Sequence, residues 1–364
     1  MISRGDCSSE VRLPERGPLE PRLSEAAVAT SAVFRNVAAG ARRRQFGELR
    51  NRAVARGMRL LSACSGLRRA GGFGILAYHR ATQPPAGVPA PTWNVAPARF
   101  RAQMKGLLAR GYRPWPLREA LACHRAGREI AAKTFVVTFD DVYESVYLNV
   151  FPILQEYGIP ATLFLATAYL DSPGPFPFDD WPWAGSPGVP CESWTPVTSA
   201  QCREMLATGL IELGTHSHSH ADFRGRAGDF RDDLAISLDA LRARFDIRDA
   251  TFAFPFGYGC RGEDGAELSE VASAAGVLCA LTTDSELVQP GDDPFNWGRF
   301  GVLDTDCTAS LADKLDGWYS RARSAWRCLR RRRPRVGRPV VGQAVTHVAI
   351  GQDARGGELI RCRR

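Results

Sequence analysis

The middle of the chain alternates short apolar runs with helical patterns, and this alternation restricts its fold more than any other feature. Runs that are apolar on both faces predict strands buried on both sides, as in a parallel sheet covered by helices. The pattern favours an α/β fold and a (β/α) barrel, complete or incomplete, over an open sheet, and the active site would then lie at the carboxyl ends of the strands. We predict strands at 74–78, 134–139, 161–166, 210–214, 251–254 and 278–282. We predict helices from 97 to a stop at Gly111, from 146 to a stop at Gly158, and near 199–207, 229–244 and 263–275.

Charge separates the domain from its tails. Residues 1–73 carry a net charge of +8, residues 74–320 carry −11, and residues 321–364 carry +11. The acidic middle contains no Lys or Arg between 141 and 200, so it lacks the clustered cations that neutralise phosphates. Nucleic-acid binding is therefore an alternative for the tails only.

The composition of the ends predicts disorder in residues 1–45 and an Arg-rich disordered tail in 321–364. Residues 46–73 have the pattern of a basic amphipathic helix or leader. That segment either leans on the domain at 74–320 or attaches to an anionic membrane surface.

The ten cysteines are scattered without a CxxC spacing, which predicts inert thiols in a reducing compartment. No window reaches the roughly 18 apolar residues of a membrane span, and no secretion signal is evident. We therefore expect a cytoplasmic protein, with peripheral contact of its basic segments at the inner face of the membrane as an open alternative.

Two adjacent carboxylates, Asp140 and Asp141, close an apolar run that predicts a buried strand. Burying a charged carboxylate is costly unless it is paired with an opposite charge, binds a metal or shares a proton with a neighbouring group. Side-chain alternation relaxes past the last ladder hydrogen bond, so one carboxylate can face a metal and the other a substrate. An Asp-rich turn or a helix N-cap is the alternative.

Three of the six histidines, His216, His218 and His220, follow another apolar run within five residues. Neutral imidazole is a common metal ligand, and two imidazoles with one carboxylate leave a coordination position open for water. His216 and His220 can converge on one ion, whereas we expect His218 to lie behind them or at the surface. A His-rich surface loop is the alternative.

Two further features surround these strand ends. Pro255 and Phe256 begin a turn whose backbone N–H groups could stabilise an oxyanion, although such turns are also common without a function. The loop 167–196 is rich in Pro and Trp, and aromatic faces suit sugar rings. We predict that Trp181, Trp183 and Pro255 bind substrate, with simple packing of the tryptophans as an equal alternative.

Together, residues 138–141, 216–220 and 252–257 resemble the motifs of the polysaccharide deacetylases, the NodB-like carbohydrate esterases of family 4. The family motifs TFDDG, H-[ST]-x-x-H and an FAYPYG-like turn occur here in the same order, each after a predicted strand, within 74–305. The stretch 75–79, ILAYH, resembles the first strand of the branch that includes poly-β-1,6-N-acetylglucosamine deacetylases. This resemblance implies an incomplete seven-stranded barrel that is circularly permuted.

The resemblance also implies roles for single residues. Asp141, His216 and His220 would bind a divalent ion, Zn²⁺ in the first place, with Co²⁺ or Ni²⁺ as alternatives. Asp140 would be the general base, and His79 would be the general acid that protonates the leaving amine. For His79, an ordinary hydrogen-bonded histidine at a strand end is the alternative.

Two more roles follow from the same resemblance. The backbone N–H of Phe256 would help to hold the oxyanion, and Arg299 would steady Asp140, unless it makes an ordinary salt bridge. The sequence departs from the family pattern at Val142, which replaces the usual Gly, and at Ala253, where many members have Arg. Val142 would strain the turn if that turn requires a positive φ.

The function that the resemblance implies is metal-dependent removal of N-acetyl groups from N-acetylated sugars of a polysaccharide or its precursor. Because Val142 replaces the usual Gly, a catalytically silent module that binds carbohydrate without turnover is an alternative. Nucleic-acid binding through the basic tails is the third alternative.

Overall fold

The computed structural model describes residues 72–257 and 263–318, together with Gly57. All described residues belong to one compact unit. The predictions for 1–45, for nearly all of 46–73 and for 321–364 lie outside the described residues. The predicted cellular location and the domain limits at 74 and 320 stay predictions.

The described residues contain one parallel sheet with helices between its strands. Seven strands follow the order β7-β6-β5-β4-β3-β1-β8, and β2 pairs with β3 off this path. The strands are β1 (Gly74–Tyr78), β2 (Arg113–Pro114), β3 (Thr134–Asp141), β4 (Ala161–Leu165), β5 (Ile211–Thr215), β6 (Phe252–Ala253), β7 (Ala280–Leu281) and β8 (Phe300–Gly301).

The sheet curves into a barrel that is incomplete. Trp297 forms a parallel bridge with Leu281 of β7, and three residues later Phe300 pairs with Leu76 of β1. One short segment therefore reaches both ends of the sheet, although only two residues of it form strand β8. The structure confirms the predicted α/β class and the incomplete seven-stranded barrel.

The central strands form because their side chains are buried on both faces. All eight residues of β3 and all five of β1 are buried. In the register of β3 with β4, Asp140 lies opposite Phe164 and Asp141 opposite Leu165. The strand thus carries both carboxylates to the carboxyl edge of the sheet, where an apolar interior ends.

Seven α-helices cover the sheet in the described residues: α1 (Pro97–Ala109), α2 (Leu117–Arg125), α3 (Phe151–Tyr157), α4 (Ser199–Ala207), α5 (Ala227–Phe245), α6 (Glu263–Ala274) and α7 (Thr308–Leu315). The helix predicted from 146 begins as a π-helical turn, Val146–Val150, because Pro152 lacks the N–H that would bond four residues back. It ends at Gly158, whose φ of 59° is left-handed as expected for a glycine stop.

Helices α2 and α7 and strands β2 and β8 were not predicted. The helices span nine and eight residues and the strands two residues each. The segment between the 3₁₀ turn Thr167–Tyr169 and helix α4, residues 170–198, contains one further 3₁₀ turn, Cys191–Ser193. We call residues 170–198 the aromatic loop.

Five of the ten cysteines lie in the described part of the chain, and all five are free thiols: Cys123, Cys191, Cys202, Cys279 and Cys307. Among residues 72–257 and 263–318, none of the helices combines the length and the hydropathy needed to cross a bilayer.

Close packing at the centre of the sheet can be tested at Gly214 of β5. A Cβ at this position would lie 2.7 Å from the ring of Phe164 and 2.7 Å from the backbone oxygen of Thr251, which cannot move away easily. We expect Gly214→Ala to lower the free energy of unfolding by about 1–3 kcal/mol, measured by urea denaturation. Gly228→Ala on α5 is the matched control, because nothing lies within 4 Å of its added methyl group. Equal stability of the two variants would contradict this packing.

Candidate metal centre

Asp141, His216 and His220 converge at the carboxyl edge of the sheet. Asp141 Oδ1 lies 3.6 Å from His216 Nε2 and 3.3 Å from His220 Nε2. One ligand atom from each residue lies within 4.8 Å of the others, and all three residues are buried. The fold therefore brings together the three predicted ligands, from two segments that are 75 residues apart in sequence for Asp141 and His216.

The hydrogen bonds of these side chains suit the binding of a cation. His216 Nδ1 lies 2.7 Å from the backbone oxygen of Ala253, and because that oxygen only accepts, the imidazole proton sits on Nδ1. The lone pair of His216 Nε2 then faces Asp141 Oδ1, a buried oxygen that accepts no hydrogen bond from the described residues. Acceptors that face one another repel unless a proton or a metal cation lies between them, and this donor set suits a divalent ion.

The pKa values of all three candidate ligands are shifted from their ordinary values. Burial and the negative charge of Asp140 raise the pKa of Asp141 to about 8. Burial lowers the pKa of His216 and of His220, so both imidazoles are neutral ligands at neutral pH. A bound cation would supply the positive charge that keeps Asp141 ionised.

A strained turn places Asp141. The N–H of Val142 donates to the backbone oxygen of Asp140, 2.6 Å away, in a γ-turn centred on Asp141. Both Asp141 and Val142 have positive φ, 64° and 65°, and the Val142 side chain is fully buried. The turn thus has the backbone conformation in which the family's usual Gly would be unstrained.

The loop that carries the histidines is held from helix α5. Asp233 accepts the N–H of His218 at 2.6 Å and the N–H of Ser219 at 3.0 Å. Ser217 Oγ accepts the N–H of His220 at 3.0 Å. His218 does not join the candidate ligands; its Nδ1 lies 3.0 Å from Thr167 Oγ1, behind the turn.

Asp140 has a different partner from Asp141. Arg299 Nη1 and Nη2 donate to its two carboxylate oxygens at 2.6 and 2.7 Å, and both side chains are buried. Burial by itself raises the pKa of Asp140, but the charge and hydrogen bonds of Arg299 outweigh it and hold the pKa well below its ordinary value. The pair has the geometry expected for a residue that steadies a permanently ionised Asp140.

His79 lies beside Asp140, with its Nε2 4.0 Å from Asp140 Oδ2. Its ring stacks on Trp93, with centroids 5.1 Å apart, and its Nδ1 has no hydrogen-bond partner among the described residues. Burial lowers the pKa of His79 to about 4 even though Asp140 opposes this effect. The Nδ1 of His79 thus lacks the hydrogen bond that an ordinary structural histidine would make, and its role as general acid stays a prediction.

The other predicted site residues lie around this centre. Phe256 has a φ of 59° in the turn after β6, and its ring centroid lies 4.9 Å from that of His220, next to the buried Pro255. Trp183 is 40% exposed, as a sugar-stacking ring would need to be. Trp181 is only 5% exposed and donates its indole N–H to the backbone oxygen of Pro89. Packing within the loop, which was the alternative to sugar stacking, therefore accounts for the position of this ring.

Several residues at the centre were not predicted, among them Arg80, Trp93, Tyr143, Phe178 and Asp233. Arg80 directly follows His79 at a strand end, a position that could have drawn attention to it. The others lie in a loop or on a helix at positions that look like ordinary packing or solvated residues. Only the three-dimensional contacts reveal their position.

The family comparison agrees with the site. Residues 127–277 match the family model of the polysaccharide deacetylases, which covers β3 to the end of α6 and both predicted ligand segments. This part of the chain therefore resembles the polysaccharide deacetylases, as the three motifs predicted. Members of this class are hydrolases that act on amide bonds, which confirms the class of enzyme that the resemblance implied.

Two curated relatives have the same description, poly-β-1,6-N-acetyl-D-glucosamine N-deacetylase. The protein of Staphylococcus aureus (strain MRSA252) is 24% identical over 238 residues, which are 63% of this chain and 74% of that protein. The protein of Escherichia coli (strain K12) is 33% identical over 135 residues, which are 37% of this chain and 19% of that protein.

Solved structures share the fold. IcaB from Ammonifex degensii has a TM-score of 0.55 at 23% identity, over 68% of this chain and 98% of the other. The Streptococcus pyogenes deacetylase PplD, in complex with acetate, has a TM-score of 0.54 at 20% identity, over 67% and 98%.

The strained turn after Asp141 makes a prediction at Val142. At most buried positions Gly is less stable than Ala by up to about 1 kcal/mol. At a φ of 65° we expect Gly to be more stable than Ala instead, because only Gly escapes the penalty of about 1–2 kcal/mol that an L residue has in the left-handed conformation. Both substitutions lose buried apolar surface, so we expect the unfolding free energy to fall in both, and to fall less in Val142→Gly than in Val142→Ala. Urea denaturation would decide; a clearly more stable Ala variant would show that this turn is not left-handed.

Proposed function

We propose that the protein is a metal-dependent hydrolase that removes N-acetyl groups from N-acetylated sugars of a polysaccharide or its precursor. The observation that carries this proposal is the convergence of Asp141 Oδ1 with the Nε2 atoms of His216 and His220, beside a separate ionised Asp140. The family match and the names of the relatives support the type of reaction.

In this proposal, Asp141, His216 and His220 hold a divalent ion, with Zn²⁺ as the first candidate because two imidazoles and one carboxylate suit it. When bound, such an ion lowers the pKa of water and polarises an amide carbonyl. The three ligands leave at least one coordination position for the reacting groups.

Asp140 and His79 then have complementary roles. Asp140 is kept ionised and in one orientation by the two hydrogen bonds from Arg299, so it is ready to accept the proton of the attacking water. His79 Nε2 lies 4.0 Å from Asp140 Oδ2, so acid and base can attend the same amide bond. Burial lowers the pKa of His79 to about 4, so its ring must first gain a proton before it can protonate the leaving amine.

The turn after β6 supplies the remaining group. A backbone N–H of Phe256 would stabilise the negative oxygen that forms when water adds to the carbonyl. The positive φ of Phe256 is a feature of this turn that an ordinary strand end would not have. The exposed ring of Trp183 and the turn at Pro255 are the proposed contacts for the sugar.

Acetate release tests the proposal. Full-length protein with added Zn²⁺ or Co²⁺ should release acetate from β-1,6-linked N-acetylglucosamine oligosaccharides, and a chelator should abolish the release. Asp140→Asn should lower kcat by about 10²–10⁴-fold while metal binding persists, because it removes the base but no ligand. Asp141→Ala should lose the metal itself, as measured by metal analysis of the purified variant.

The matched control is Asp246→Asn, an exposed aspartate that ends α5 with a φ of 53°, a conformation that Asn tolerates. It should leave acetate release unchanged. Release that survives both the chelator and Asp140→Asn would contradict the mechanism. Binding of the oligosaccharide by the wild-type chain without any acetate release would instead favour the silent carbohydrate-binding module.

A further inference from the structure

The two candidate imidazole ligands are oriented by different means. The Nδ1 of His216 is fixed by its hydrogen bond to the backbone oxygen of Ala253. The Nδ1 of His220 is also buried, but it makes no hydrogen bond to another described residue. Metal-binding histidines usually donate this second N–H to an acceptor that fixes the ring. No acceptor on another described residue therefore fixes this ring, and the packing around His220 contributes to its orientation.

The ring that packs on His220 belongs to the aromatic loop. Phe178 stacks on the imidazole with centroids 3.8 Å apart and planes inclined by 20°. Phe178 is itself stacked on Phe176 at 4.9 Å, and Phe176 meets Tyr143 edge to face at 4.8 Å. The rings of Tyr143, Phe176 and Phe178 thus form a continuous aromatic cluster from the end of β3 to the imidazole of His220.

A loop of this length needs anchors to hold one ring in place. Asp179, the neighbour of Phe178, accepts a hydrogen bond from Arg80 Nη2 at 2.7 Å, and both side chains are at most 3% exposed. Arg80 also donates to the hydroxyl of Tyr143 at 2.6 Å and to the backbone oxygen of Ser193 at 3.0 Å. One guanidinium, on the segment after β1, therefore contacts the aromatic loop at two points and Tyr143 after β3 at a third.

The burial of this ion pair makes it a strong anchor. Two charges removed from water must stay paired, because separating them leaves an uncompensated charge in an apolar environment. Movement of Asp179 away from Arg80 would incur that cost, and Phe178 is covalently adjacent to Asp179. The pair therefore limits how far Phe178 can move from His220.

From these contacts we propose that Arg80 and Phe178 are positioning residues for the metal centre. The buried Arg80–Asp179 ion pair fixes the aromatic loop, and Phe178 in turn holds the imidazole of His220 with Nε2 towards Asp141. This proposal rests on the proposed function, since it assigns residues that prepare the same site for its ion.

Metal affinity tests Phe178 without relying on catalysis. The full chain, stripped by a chelator, is titrated with Co²⁺, and the visible absorbance gives the Kd and reports the ligand geometry. Phe178→Ala should raise the Kd about tenfold or more, the effect typical of losing a group that orients a ligand, and should change the Co²⁺ spectrum. Phe178→Tyr should restore the wild-type Kd because it keeps the stacked ring. Leu148→Ala, an exposed apolar residue, is the control that should change nothing.

The ion pair is tested in the same titration and by proteolysis. Arg80→Gln should raise the Kd for Co²⁺ several-fold and should speed chymotrypsin cleavage at the aromatic residues of the loop, mapped by mass spectrometry. Trypsin is uninformative there because residues 141–200 contain no Lys or Arg. Arg244→Gln is the matched control, since it breaks the exposed pair that Arg244 makes with Asp171 at the start of the same loop. It should leave both readouts unchanged.

Arg80→Gln leaves Asp179 buried without its cation, so the double variant with Asp179→Asn is measured beside it. The double variant carries no buried charge and should still show the raised Kd. Wild-type Kd values and spectra in Phe178→Ala and in the double variant would overturn this inference while leaving the proposed function intact. A wild-type chain that binds neither Co²⁺ nor Zn²⁺ would overturn the proposed function and this inference together.

Discussion

Two adjacent carboxylates at the end of a buried strand impose the condition on which the rest of the site depends. Asp140 and Asp141 cannot both be charged in an apolar environment unless each has its own counter-charge. Arg299 supplies it to Asp140 through two short hydrogen bonds, which keeps that carboxylate ionised. Asp141 has no such arginine contact and instead faces two neutral imidazoles, an arrangement that suits a divalent ion. The two carboxylates thus have different environments, one paired with a cation and the other facing candidate metal ligands.

The backbone around this pair is unusually strained. Among the described residues, nine other than glycine have a positive φ, and several of them surround the candidate centre: Trp93, Asp141, Val142, Ser217, His220 and Phe256. Each such residue costs on the order of 1–3 kcal/mol and persists only where the surrounding structure enforces it. The close packing of the sheet below and the anchors above, Asp233 on the histidine loop and Arg80 on the aromatic loop, provide that enforcement. The site is thus held by partners on several elements, and no single strand could hold it alone.

Sequence reasoning succeeded where a residue's environment follows from its neighbours in the chain. The fully apolar run of β3 identified a buried strand, and the two carboxylates at its end could be recognised as an expensive feature before any contact was known. The same holds for the histidines after β5. Val142 was recognised only as a departure that would cause strain at a positive φ, and the structure supplies that φ. It failed for Trp181, because an aromatic residue in a loop gives no local sign of whether its ring is packed or exposed. It also missed α2, α7 and β8; β8 is only two residues long and is defined by its pairing with β1, a long-range contact.

The sequence alone determined the alternation of strands and helices, the parallel α/β class and the identity of the groups able to carry metal chemistry, because hydrophobic period and residue chemistry are local properties. Only the tertiary structure decided which of these groups meet. In the structure, Asp141 lies within 3.6 Å of two imidazoles and Asp140 pairs with Arg299. His218 contacts Thr167 instead of the candidate ligands, and Phe178 stacks on His220. These choices depend on strand register, backbone strain and the packing of distant loops, which act over separations in the chain that no local pattern encodes.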